Sequence, residues 1–222
     1  MINIEFTPEK DGIVAGEENT FEVLLRASSD LMRPSKSSKK LPLNLALVID
    51  RSGSMQGRPL EEAKKCAAML VDRMSEVDQL SVVTYDDSVD VIVPMAKVMN
   101  KNLLKNTINS IRQGGMTALY DGWSVGAEQV AEFADNNNLS RVLLLSDGQV
   151  NRGLTDEVTI SSHCGTMAEN GVTTSTYGLG SRFNENLMTA MATAGQGQSH
   201  YGQTADDLMD PFSEEFDLME AI

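Results

Sequence analysis

Asp50-Arg51-Ser52-Gly53-Ser54 places one carboxylate and two hydroxyls within five residues. All are hard oxygen donors of the kind that Mg²⁺ prefers. The glycine between the serines lets the backbone turn sharply. The segment follows the apolar run Leu43-Asn44-Leu45-Ala46-Leu47-Val48-Ile49 and precedes a helix-patterned stretch. It therefore reads as the carboxyl end of a strand, where open parallel sheets place their binding sites. A second apolar run, Arg141-Val142-Leu143-Leu144-Leu145-Ser146, ends in Asp147-Gly148, and between the two Gly114-Gly115 leads to Thr117. Taken singly, the serines read as a turn and helix cap, Thr117 as an ordinary loop threonine and Asp147-Gly148 as a turn dipeptide. Taken together they are complementary donors at three separate strand ends, which turns alone do not require.

The elements that must hold these donors alternate between strand and helix. Ile2, Ile4 and Phe6, and later Phe21, Val23 and Leu25, alternate with polar residues, which predicts an antiparallel extension. Residues 28–42, rich in Ser, Pro and Lys, read as a loop or linker, its lysines a solvated turn. The domains expected are thus an N-terminal β extension and linker over 1–42 and a main domain over 43–222. After the first central strand, Pro59 suits a helix start, and Leu60, Ala63, Ala67, Leu70, Val71 and Met74 share one helical face. Leu80–Tyr85 and Val89–Val98 are separated only by Asp86-Asp87-Ser88, so the second must run antiparallel to the first. Helices follow through Leu104, Ile108 and Ile111, and through Leu119, Trp123, Val130 and Phe133. Beyond the strand ending at Asp147, Thr155 is the expected cap of a helix whose first turn carries Asp156 and Glu157. Strand Val172–Leu179, a helix from Asn184, strand Ser199–Gln203 and a last helix after Pro211 complete the series. Two continuous apolar strands imply a sheet covered on both faces. The expected class is α/β: a doubly wound, Rossmann-like open sheet, mostly parallel with one antiparallel strand, plus the small N-terminal β extension.

Composition narrows the function. Thirty-two acidic against 18 basic residues give a formal charge of −14. That argues against nucleic acid, whose binding depends on neutralising phosphates with Lys and Arg. Screening over about 8 Å at physiological salt still leaves a bound cation free to reverse the sign locally. No stretch reaches the length of a membrane span, so no membrane insertion is expected. The start lacks the basic and apolar regions of a signal peptide, and Cys66 and Cys164 are too few for a disulfide framework. A cytoplasmic location is expected, or an extracytoplasmic one if a leader has been trimmed.

Asp50-Arg51-Ser52-Gly53-Ser54-Met55, Gly114-Gly115-Met116-Thr117-Ala118-Leu119 and Leu145-Ser146-Asp147-Gly148 resemble, in order and in place, the three motifs of a von Willebrand factor type A domain with a complete metal-ion-dependent adhesion site. The similarity runs from about Leu43 to Phe216, through Val82-Val83-Thr84-Tyr85-Asp86-Asp87 and Tyr177-Gly178-Leu179-Gly180. The resemblance implies that Ser52 and Ser54 ligate a metal through their hydroxyls and that Asp50 holds it mainly through water. Thr117 and Asp147 complete the site directly or through water. Mg²⁺ is the implied ion, with Mn²⁺ or Ca²⁺ as substitutes, and the open position takes an Asp or Glu carboxylate from a protein partner. Two carboxylates balance a dication and leave it an appetite for an incoming anion. In a similar family member the last helix slides when the metal changes partners; the corresponding segment here is Pro211–Met219. Bacterial relatives continue into further strands, so the chain is expected to be a piece of a longer protein, its oligomeric state open.

A noncatalytic binding module is favoured because nothing supplies a nucleophile with its own base. The alternative is Mg²⁺-dependent phosphoryl transfer with Asp50 as nucleophile. A haloacid-dehalogenase-like phosphatase would want a second Asp where this chain has Ser52. A dinucleotide fold would need Gly-x-Gly-x-x-Gly where only Gly53 stands. Asp86 and Asp87 read as a solvated hairpin turn, Asp121 as favouring its helix start, and His163 and His200 as lacking partners at zinc spacing. Most of the methionines fill core positions, while Met55 and Met116 are candidates for an adaptable rim beside the metal.

Overall fold

In the computed structural model, which describes residues 2–8, 23–29, 41–135, 137–179 and 184–220, the two alternating N-terminal runs pair as Ile2–Pro8 (β1) and Val23–Ser29 (β2). They are antiparallel, with Phe6 opposite Leu25, and Ile4, Phe6 and Leu25 lie exposed. Phe21 and the linker lysines fall outside the described residues. Contacts divide the chain into Met1–Lys39 and Lys40–Ile222.

The second unit begins with Leu43–Asp50 (β3), buried along its whole length. A single 3₁₀ turn, Gly53–Met55, leads into Arg58–Arg73 (α1), with Pro59 in its first turn. Gln79–Tyr85 (β4) and Val89–Lys97 (β5) form the expected hairpin. Lys101–Asn109 (α2), Leu119–Ala131 (α3), Leu139–Ser146 (β6), Glu157–Glu169 (α4), Val172–Leu179 (β7), Glu185–Ala194 (α5), Gln196–Gly202 (β8) and Ala205–Glu220 (α6) follow. Six strands form one sheet in the order β5-β4-β3-β6-β7-β8, parallel except for β5.

Strand alternation sorts the core into two layers. Leu45, Leu47, Ile49, Leu143, Leu145 and Tyr177 point to one face, where α1, Ile108 of α2 and Leu208 of α6 cover them. Ala46, Val48, Val142 and Leu144 point to the other, under Trp123 of α3, Ile160 of α4 and Met188 of α5. Shortening such a residue to Ala costs about 2–5 kcal/mol, because the surrounding layer relaxes only in part. Cys66 and Cys164 are buried and free in opposite layers, each thiol pushed up to about 12 by burial. Among the described residues no helix is long and apolar enough to cross a membrane.

Four local expectations are corrected. The helix α4 is capped by Asp156, whose carboxylate accepts from Thr159 N at 2.8 Å, and not by Thr155. Ile111 and Phe133 lie just past the ends of α2 and α3. Strand β8 starts at Gln196, ahead of Ser199: Gln196 already pairs with Thr174 of β7, and at Gly197 the strands approach so closely that a Cβ would clash with the Thr174 carbonyl. The last helix starts at Ala205 and carries Pro211 inside it. Its start is fixed by reciprocal capping: Thr204 Oγ1 accepts from Asp207 N at 3.3 Å, while Asp207 Oδ2 accepts from Thr204 N at 2.8 Å. Glu62 of α1 adds a third bond, accepting from Ala205 N at 2.7 Å.

Candidate functional site

The neighbours of β3 are β4 on one side and β6 on the other, so the chain order reverses there. Loops leaving adjacent strands on opposite sides of such a point open a crevice at the strands' carboxyl ends. Asp50 and Ser146 are the last residues of β3 and β6, paired in register at Ile49 and Leu145.

Asp50 is wholly buried, and both its oxygens are occupied. Oδ1 accepts from Ser52 N at 2.8 Å, and Oδ2 accepts from Ser146 Oγ at 2.6 Å and Tyr85 OH at 3.2 Å. Burial pushes its carboxyl up to about 6, hydrogen bonds from Ser146 and Ser52 oppose the rise, and the Asp147 charge adds to it. The Ser52 and Ser54 hydroxyl oxygens lie 3.1 Å apart. Met55, expected at the rim, is fully buried in the core layer beneath; Met116 alone is exposed.

Asp147 is 4 % exposed and bends back on its own turn, Oδ1 accepting from Gln149 N at 3.1 Å. Gly148 follows at φ +68°, where a side chain would be strained and would press on Met188. Thr117 is 1 % exposed. Its N–H donates to Asn151 Oδ1 at 2.8 Å, and its carbonyl accepts from Arg152 N at 3.2 Å.

The three loops are thereby tied to one another. The first meets the second through Gly53 N to Gly115 O and Gly114 N to Arg51 O, both 2.7 Å. The second meets the third through Thr117 and Asn151, and the third meets the first through Ser146 and Asp50. No sequence signal marks Ser146, Tyr85 or Asn151 as supports: Tyr85 and Ser146 reach Asp50 only through the pairing of β4 and β6 with β3, and Asn151 reaches Thr117 only through the meeting of two loops.

Among the described residues no three His, Cys, Asp or Glu side chains group as a metal cage. The candidate donors are instead two carboxylates with hydroxyls. Neither carboxylate has a Lys or Arg ion-pair partner among the described residues. His163 bonds Tyr120 OH at 2.9 Å and His200 stacks on Tyr177. Asp86 and Asp87 stay in the β4–β5 turn, but only Asp87 is solvated there: Asp86, expected to be exposed, is buried, with 4 % of its surface accessible. Asp50 as a nucleophile is disfavoured, since attack needs an accessible oxygen and both of its oxygens are turned inward.

The chain matches the von Willebrand factor type A domain over residues 44–214. It is 32 % identical over 182 residues to the uncharacterized protein sll0103 of Synechocystis sp., a match over 82 % of this chain and 42 % of that protein's length. The fold is shared with the conserved hypothetical protein BatB of Bacteroides thetaiotaomicron at a TM-score of 0.69 and 18 % identity, over 81 % of this chain and all of that one. It is shared too with proximal thread matrix protein 1 of the mussel byssus, described with a zinc-occupied MIDAS motif, at a TM-score of 0.67 and 21 % identity over 81 % of this chain and 48 % of that one.

Proposed function

Since this chain belongs to the von Willebrand factor type A family, we propose that Asp50, Ser52, Ser54, Thr117 and Asp147 hold one divalent cation. Mg²⁺ is the ion, with Mn²⁺ or Ca²⁺ able to replace it, and its remaining position receives an Asp or Glu carboxylate from a protein partner. Domains of this family are generally interaction modules rather than enzymes, and the reading here is a noncatalytic grip.

The support is electrostatic. Two carboxylates, 0 and 4 % exposed, stand beside crowded hydroxyls with no cationic side chain among the described residues paired to either. A buried carboxylate is costly without a compensating cation, and a dication among hard oxygens supplies one. When bound, the ion offers a Lewis-acidic contact to an incoming anion. The protein's part is to fix Asp50 through Ser146 and Tyr85, to aim the two serines, and to keep Thr117 in place through Asn151.

Titration of the whole chain with Mn²⁺, followed by electron paramagnetic resonance, tests this. One ion per chain is expected, displaced by Mg²⁺, with uptake weakened at least tenfold in Ser52→Ala and Asp147→Ala at unchanged circular dichroism. A chain that takes up no ion overturns the reading.

A further inference from the structure

Asp86 opens the β4–β5 turn and is only 4 % exposed, although nothing about a hairpin turn requires a buried carboxylate. Its Oδ1 accepts from Ser88 N at 2.8 Å and Ser88 Oγ at 3.0 Å. These bonds complete an Asx turn and would satisfy a hairpin by themselves. The side chain goes further. Its Oδ2 lies 3.1 Å from Arg51 Nε, an ion pair rather than an aligned hydrogen bond, and accepts from Gly115 N at 3.4 Å. Its backbone carbonyl accepts from Ala118 N at 2.8 Å.

Those partners lie on two of the three donor loops. Arg51 sits between Asp50 and Ser52, is held to β5 through Asp90 at 2.7 Å, and receives Gly114 N on its own carbonyl. Gly115 and Ala118 bracket Thr117. The fit is close: a Cβ at Gly114 would stand 1.5 Å from Asp86 Oδ2 and 2.5 Å from its Cγ. Gly114 is therefore glycine because the Asp86 carboxylate occupies the space of its side chain.

We propose that Asp86 is a positioning residue for the metal centre. Through Arg51 on one side and the Gly114–Ala118 backbone on the other, it sets the separation between the Thr117 donor and the serine donors without touching the ion. This rests on the metal reading above. Donor spacing matters because Mg²⁺ and Mn²⁺ require near-octahedral oxygen geometry and tolerate little displacement.

The test is a double-mutant cycle on the whole chain, with Mn²⁺ as the probe. Asp86→Ala is expected to weaken Mn²⁺ uptake about tenfold in the wild-type background and less than twofold in Thr117→Ala. Once residue 117 offers no donor, its placement ceases to matter. Gly114→Ala, which crowds the same carboxylate from the other side, should reproduce the loss. Equal losses in both backgrounds would mean a general loosening of the fold and overturn the proposal, as would wild-type affinity in Asp86→Ala. Either outcome leaves the metal reading standing, whereas a wild-type chain that binds no Mn²⁺ removes both. If Asp86→Ala fails to fold, Asp86→Asn carries the same expectation, since it keeps the Ser88 bonds and loses both the charge facing Arg51 and the acceptor for Gly115 N.

Discussion

Asp50 carries the sharpest conflict between stability and the proposed metal role. Its carboxyl, held at about 6 by burial against an ordinary 3.8, costs the metal-free fold about 3 kcal/mol when ionised at neutral pH. An asparagine there keeps an acceptor for Ser52 N, and the Ser146 and Tyr85 hydroxyls can turn to accept from its amide. In chelator at pH 7, Asp50→Asn is expected to be more stable than wild type by about 2 kcal/mol in urea unfolding, while taking up no Mn²⁺. A destabilised variant would show that hydrogen-bond geometry outweighs desolvation at this position. The proposed donor residues stand out in the sequence because they are short-range motifs at the ends of apolar runs. Their supports are not: Tyr85 and Ser146 lie 35 and 96 residues from Asp50, and no local periodicity reveals which side chains face each other across strands.

At the scale of elements, strands and long helices follow from apolar periodicity, whereas the start of α6 does not. Pro211 punctuates the sequence strongly, yet the pairing of Thr204 with Asp207 and the Glu62 bond to Ala205 N start the helix earlier and outweigh a missing amide in its second turn. Glu62 ties α1 to this helix end. The bond from Ala205 N, with Lys65 alongside, lowers its carboxyl below the usual carboxylate range. A lowered folded-state value means that the stability it confers is present above the ordinary pKa of 4.5 and is lost as pH falls through the depressed one. Glu62→Gln should therefore cost about 1 kcal/mol at pH 7 and nothing at a pH low enough to protonate Glu62 in both the folded and the unfolded chain. Hydrogen exchange of the first α6 amides at the two pH values measures it.

For the molecule as a whole, both core layers close within Lys40–Ile222, and every candidate donor lies there. A chain of residues 40–222 should fold cooperatively and take up Mn²⁺ with an affinity within threefold of the full chain. A molten or metal-silent product would show that the N-terminal strands are needed.

The burial of Met55 has a mechanical corollary. The turn bearing Ser54 is pinned beneath the sheet by a side chain with no exposed surface, and Ser52 and Asp50 continue directly into the central strand. On the proposed metal reading, tension applied by a partner through the ion would pass along β3, a strand flanked on both sides by hydrogen-bonded neighbours. Such a path shares load among many bonds at once, so rupture under force should come at the ion's outer contact before the scaffold yields.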